Sequence, residues 1–179
     1  MINLKKKNKE ILLKDIGAFN SLWNLMEESF PFNERKTCES YREQLFDPLF
    51  EIDLFYSGVE IAGFIGWWHV DDFRFVEHFA VSLAIRGRGV GSMVFSQFLY
   101  SAPSPVILEV EPPDTNDSSR RITFYRRLGF DVLPYDYYQP SYHQDGEPVK
   151  MIIMTNGEHL MEHDFIKIKN AIYTTVYKI

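Results

Sequence analysis

The sequence predicts one α+β domain, a mixed and mostly antiparallel sheet flanked by helices. Three observations carry this. Apolar residues at helical spacing open the chain, three strand-like segments follow, and strands then alternate with helices. Residues 59–70 are almost wholly apolar, as in a strand buried on both faces. Residues 79–100 (FAVSLAIRGRGVGSMVFSQFLY) read as a strand, a glycine-rich turn and a helix. At 179 residues the chain is long enough for a sizeable single core.

In chain order, residues 1–7 suit a short edge strand. A helix starts near Asp15, its cap, with Phe19, Leu22, Trp23, Met26 and Phe30 on one stripe, and Pro31 ends it. A second helix is expected over 34–46, with Cys38, Tyr41 and Leu45 on one side. Phe50, Ile52, Leu54 and Tyr56 alternate with Glu51 and Asp53, which predicts a strand with a wet face. Ser57-Gly58 and Asp71-Asp72 turn the chain into and out of the apolar strand. Residues 73–82 form the third strand. The helix after the glycines ends at Ala102-Pro103-Ser104-Pro105. Then come a strand at 106–111 (VILEVE), a polar loop, a helix at 118–128 stopped by Gly129, a strand at 130–133, a tyrosine-rich loop and a strand at 149–155. Phe165, Ile168, Ile172 and Val176 predict a tail helix. The domain proper is read as residues 1–156, with 157–179 as a helical extension packed on it or pairing with a second copy in a homodimer.

Composition excludes several classes. A net charge of −6 argues against a nucleic-acid surface. The lone Cys38 permits neither an internal disulfide nor a cysteine-based zinc site, and a reducing, cytoplasmic location is expected. No signal-peptide pattern opens the chain and no apolar run reaches about 18 residues, so no membrane span is expected. His159 to His163 (HLMEH) matches a zinc-peptidase signature literally. Only sixteen residues follow it in this sequence, too few for the remaining ligand and its helix, so no metal is expected.

The chemistry-bearing stretch is the glycine turn. Gly87, Gly89 and Gly91 are spaced GxGxG, which is neither a dinucleotide fingerprint nor a P-loop. Glycines remove side chains so that backbone N–H groups converge, and the following helix adds the positive end of its dipole. Both suit a phosphate. The pattern Val81-x-x-x-x-Arg86-Gly87-x-Gly89-x-Gly91, together with Phe124-Tyr125-Arg126-Arg127-Leu128-Gly129-Phe130 downstream, resembles the GCN5-related N-acetyltransferase (GNAT) family. The clear match runs from about Asp53 to Phe130.

The resemblance implies an acetyl-CoA-dependent N-acetyltransferase of the GNAT fold, acting by direct transfer to a primary amine of a small molecule or peptide. It implies that backbone groups of Arg86, Gly87, Arg88, Gly89, Val90, Gly91 and Ser92 hold the pyrophosphate. Phe79, Ala80 and Val81 would flank the pantetheine arm like an added strand. Tyr125 would protonate the leaving thiolate. An asparagine often found seven residues before that tyrosine is replaced here by Ser118, with Asn116 two earlier; either is a candidate cofactor contact, and Arg120 and Arg121 are alternatives. For the general base, Glu109 comes first, then Glu111, then Glu77. Glu109 and Glu111 are expected on one strand face, close enough to raise one another's pKa. The loop at 135–147, with Tyr135, Tyr137, Tyr138, Tyr142 and His143, is the expected acceptor wall. A non-catalytic acyl-CoA sensor of the same fold, and a structural protein with a partner-binding tail, are the competing readings.

Overall fold

A computed structural model describes residues 4–101, 105–157 and 160–179. Strand β1 (Leu4–Lys7) leads to helices α1 (Glu10–Lys14), α2 (Ile16–Ser29) and α3 (Cys38–Gln44). Strands β2 (Phe50–Ser57), β3 (Glu60–Val70) and β4 (Phe73–Val81) follow. The second half runs α4 (Val90–Tyr100), β5 (Val106–Val110), α5 (Asn116–Arg127), β6 (Asp131–Val132), β7 (Tyr137–Gln139), β8 (Val149–Thr155) and α6 (Glu162–Ile172). A π-helical turn, Tyr173–Tyr177, continues α6.

The sheet order is β1-β2-β3-β4-β5-β8-β6, with β7 on β8. Every pairing is antiparallel except β4 with β5. The predicted mixed α+β sheet is therefore the architecture, and helices cover both faces. One core lies under α2, α3 and the tail, around Phe19, Leu22, Phe50, Phe64 and Ile172. The other lies under α4 and α5, around Ile65, Phe95, Phe98 and Phe130. β3 serves both: Phe64 and Trp68 face the first core, Ile65 and Trp67 the second. That two-sided burial is why its sequence lacks polar alternation.

Local signals account for the element ends. Asp15 caps α2 as expected, its carboxylate accepting from the N–H groups of Gly17 (2.8 Å) and Ala18 (3.1 Å). Thr37 caps α3 by accepting from Ser40 N–H at 3.2 Å. Gly129 follows α5 at φ +88°, a left-handed conformation that suits glycine.

Several expectations need correction. The second helix is shorter than 34–46, because the chain first makes a 3₁₀ turn at Phe32–Glu34. Cys38 is exposed, so it does not share the buried side with Tyr41 and Leu45. The wet face of β2 is covered: Asp53 is buried and pairs with Lys6 of β1 at 2.8 Å. The strand expected at 130–133 shrinks to Asp131–Val132, and β7 appears inside the tyrosine-rich loop. Expectations for residues 1–3 and for the break at 102–104 lie outside the described residues. The tail helix begins at Glu162, and Phe165, Ile172 and Val176 pack into the first core.

The register holds β4 tightly at one point. A Cβ at Gly63 would sit 2.7 Å from the backbone carbonyl oxygen of Ala80. Backbone cannot yield as a flexible side chain does, so a methyl there displaces the end of β4. Gly63→Ala should cost about 1–3 kcal/mol and lower the melting temperature by about 5 °C, measured by thermal denaturation.

Candidate functional site

The site arises where β4 and β5 part. They pair in parallel over three positions only, Arg74 with Val106, Phe75 with Ile107 and Val76 with Leu108. Beyond Val76 the strands diverge and one edge of β4 is open. A β-bulge sits at that point: Gly66 of β3 opposes His78 and Trp67 opposes Val76, leaving Glu77 as the extra residue. The bulge breaks the alternation of side chains. Glu77 reaches Trp68 and Gln44 while its neighbour His78 packs on Phe30 and Tyr41, so both face the first core.

A cavity of about 620 Å³ runs through the gap. At one end it meets Arg86, Gly87, Gly89, Gly91 and Ser92; in the middle Phe79, Ala80, Val81 and Tyr125; at the other end Glu34, Glu77, Glu109 and Tyr142. Gly87 and Gly89 take φ +76° and +75°, and Gly89 is the residue from which α4 starts. Among the described residues, no backbone carbonyl accepts from the N–H groups of Gly87, Arg88 or Gly89. These donors and the first turn of α4 form a positive end to the cavity, with Arg120 and Arg121 of α5 also lining it. Arg86 fastens the loop, its Nε donating to the Val81 carbonyl at 2.8 Å.

The family model for the acetyltransferase (GNAT) family matches residues 19–130. A solved structure described as a putative acetyltransferase from the GNAT family of Bacteroides thetaiotaomicron is 31% identical, with 99% of each chain covered and a TM-score of 0.88. This chain belongs to the GNAT acetyltransferase family. More distant structures share the fold. The ribosomal-protein-S18-alanine N-acetyltransferase of Escherichia coli is 16% identical, with 89% of this chain and 99% of that one covered, at TM-score 0.62. Arabidopsis thaliana Naa50, in complex with the bisubstrate analogue CoA-Ac-MVNAL, is 18% identical over 87% of this chain and 98% of that one, at TM-score 0.60. Among curated proteins, none matches the chain.

Within this GNAT domain the cavity brings together Glu77, Glu109, Glu111, Phe79, Ala80, Val81, Arg86, Gly87, Gly89, Gly91, Ser92 and Tyr125. The side chains of the other expected residues do not line it. Ser118 is buried in a capping box, its hydroxyl accepting from Thr115 N–H and donating to Thr115 carbonyl, both at 3.1 Å. Asn116 is exposed at the start of α5, Arg88 is exposed, and the Val90 side chain is in the second core. Gly91 is inside α4, where a Cβ would meet Phe79, Phe124 and Val81 at ordinary contact distances of 3.7–3.8 Å. His159 of the HLMEH segment lies outside the described residues, and His163 contacts only its neighbour Asp164 among them, at 3.0 Å.

Tyr125 is packed among Phe95, Phe124 and Phe130 at centroid distances of 5.3, 5.1 and 5.8 Å. Burial pushes its hydroxyl above the ordinary tyrosine value, so it is a protonated donor at neutral pH.

The carboxylates have different partners. Glu111, just past the end of β5, lines the cavity with Glu109 but pairs with Arg121. Glu109 instead accepts from Tyr137 of β7 and Tyr177 of the tail turn. Burial raises its pKa to about 8 against those two donors, with Glu77 and Glu34 adding to the rise. Glu77 has a fully buried side chain and is saturated with partners. It accepts from Gln44 (2.7 Å), Trp68 Nε1 (2.8 Å) and Tyr142 (2.9 Å), with Lys36 at 3.8 Å. Burial alone would raise its pKa; Lys36, His78 and these donors outweigh it and hold Glu77 below the ordinary value. Glu34, in the 3₁₀ turn after α2, is raised to about 7 by burial and by Glu111.

Glu34, Lys36, Gln44 and Tyr177 escaped sequence reasoning. None forms a motif, and each reaches the site only through the tertiary fold. The tyrosine-rich loop was the one signal pointing at this end: Tyr142 lines the cavity, and His143 stacks on Phe32 at 3.9 Å and hydrogen-bonds its carbonyl at 2.9 Å.

Glu109 and Glu34 keep their protons to about pH 8 and about pH 7 in the fold, against an ordinary 4.5. Their contribution to stability is complete below about pH 4.5 and is lost as pH rises through the folded values. The melting temperature should therefore fall between about pH 5 and 8, and Glu109→Gln should flatten that slope. Thermal melts of both proteins across the range check this.

Proposed function

We propose that the protein is an acetyl-CoA-dependent N-acetyltransferase that acetylates a primary amine by direct transfer. The observation that carries this is the continuity of one cavity from the glycine turn, past the open edge of β4 and Tyr125, to Glu109. A linear thioester with an anionic head has its match in that order of groups. The free N–H groups of Gly87, Arg88 and Gly89 and the start of α4 suit the pyrophosphate, with Arg120 and Arg121 beside them. The edge of β4 at Glu77–Ala80 is unpaired on the β5 side and offers backbone groups to the amides of an extended arm. Acetyl-CoA supplies the activated acetyl group; the chain's own residues supply position and proton traffic.

Transfer to an amine has two proton requirements. The incoming ammonium must lose a proton to become nucleophilic, and the departing sulfur must gain one. Glu109 suits the first task. Its pKa of about 8 lies near neutrality and the residue lines the cavity. Glu77 is less suited, because it already accepts three hydrogen bonds and its pKa is depressed. Glu111 is committed to Arg121. Tyr125 suits the second task, as a protonated hydroxyl in the middle of the cavity. The acceptor end carries Glu34, Glu77 and Glu109, which offer oxygen acceptors to an amine and grow more anionic as Glu34 and Glu109 lose their protons. His78 and Gln139 line the same end, and their Nδ1 and Nε2 atoms are buried without partners among the described residues.

Acetyl-CoA should raise the melting temperature with increasing concentration, as ligand binding to the native state requires. A thiol-release screen over polyamines, aminoglycosides, amino acids and peptide N-termini should identify an accepted amine. With that amine, Tyr125→Phe should lower kcat by about 100-fold. Unchanged turnover in Tyr125→Phe removes the proton-donor role. Stabilisation by acetyl-CoA with no acceptor in the screen would favour the non-catalytic sensor.

A further inference from the structure

The C-terminal segment is more than a cover for the core. After α6 the chain makes a π-helical turn over Tyr173–Tyr177, a form that is rare and often marks functional positions. Val176 is buried in the first core, and Lys178 binds Asp47 at 3.0 Å and lies over the Trp68 ring at 5.2 Å. Anchored on both sides, Tyr177 points at β5. Its hydroxyl lies 3.0 Å from each carboxylate oxygen of Glu109. Tyr142, whose hydroxyl donates to Glu77 at 2.9 Å, is 3.4 Å from the same Tyr177 oxygen. Two tyrosine hydroxyls thus lie between Glu77 and Glu109: Tyr142 donates to the first and Tyr177 to the second, and Tyr137 donates to Glu109 as well.

We propose that Tyr177 is a positioning residue for Glu109: its hydroxyl, shared between both carboxylate oxygens, fixes the carboxylate at the cavity wall and makes the tail turn a part of the site. The proposal rests on the reading of Glu109 as the base. Tyr177 does not itself line the cavity and acts only through Glu109. The effect has a direction. A hydroxyl donated to a carboxylate stabilises the ionised form, so Tyr177 holds the Glu109 pKa below where burial would carry it. The other groups acting on Glu109 are Tyr137 of β7, Glu77 of β4 and Glu34 of the turn after α2, while Tyr142 and Tyr173 face it from the β7–β8 loop and the tail. All of these remain when only the Tyr177 oxygen is removed.

Tyr177→Phe in the full chain makes that change. The ring keeps its place against Tyr142 and Tyr173, at 5.3 and 6.2 Å. The first readout is the ¹³C-carboxyl titration of Glu109 by NMR, with the resonance assigned by its loss in Glu109→Gln. The midpoint should rise by about one pH unit in Tyr177→Phe. The acid limb of kcat/KM against pH should move up with it, costing about 10-fold in rate below the midpoint and recovering above it. An unmoved midpoint overturns the proposal, as does a rate loss that is equal at every pH. Should Tyr177→Phe unfold, 3-fluorotyrosine at position 177, a stronger donor, should move the midpoint down; a midpoint that stays or rises overturns the proposal equally. The NMR arm needs no turnover. A chain that binds no acetyl-CoA and acetylates nothing would sink the enzymatic reading, whereas normal turnover with an unmoved midpoint sinks the role of Tyr177 alone.

Discussion

Everything in the site depends on a sheet that fails to close. Parallel β4 and β5 hold together over three residue pairs and then separate, which leaves backbone groups unpaired inside a protein where such groups are costly. The fold tolerates this because the opening is a cavity rather than a packed interior. The bulge at Glu77 does the complementary work. It adds a residue to β4 without a partner on β3, and so turns two successive polar side chains to one face. An unbroken strand would have sent Glu77 and His78 to opposite faces, and one of them into the aromatic core around Phe95.

That arrangement sets the electrostatics. The cavity is positive at the glycine turn and rich in carboxylates at the far end, with Tyr125 between. Burial affects the carboxylates unequally because their partners differ. Glu77 is surrounded by donors and a lysine, and stays ionised. Glu109 has two tyrosine hydroxyls and carboxylate neighbours, and holds its proton to a higher pH. Two buried carboxylates on neighbouring strands thus acquire different chemical characters from their second partners.

Much of the frame was legible in the sequence. The glycines at 87 and 89, the apolar run of β3 and the caps at Asp15 and Gly129 each have a local physical cause that one chain displays. So did the tyrosine in the helix before Leu128-Gly129-Phe130. The site was less legible, because its polar groups are set by register rather than by spacing. A bulge depends on how two strands align, and neither strand announces it alone. Glu109 and Glu111 both reach the cavity, but Arg121 takes Glu111, a pairing that spacing along the strand does not announce. Ser118, which sits at a motif position, is consumed by the helix cap of its own neighbour Thr115. Tyr177 reads as one more ring on an amphipathic tail until the fold brings it to β5.

Next to the cavity residue Tyr142, His143 stacks on Phe32, which joins segments 111 positions apart. Closing so long a loop costs chain entropy before the contact returns anything. The β2–β3 and β3–β4 hairpins need no such closure. On grounds of contact range, this junction is expected to form after the two hairpins, once the strands of the sheet have brought its segments within reach.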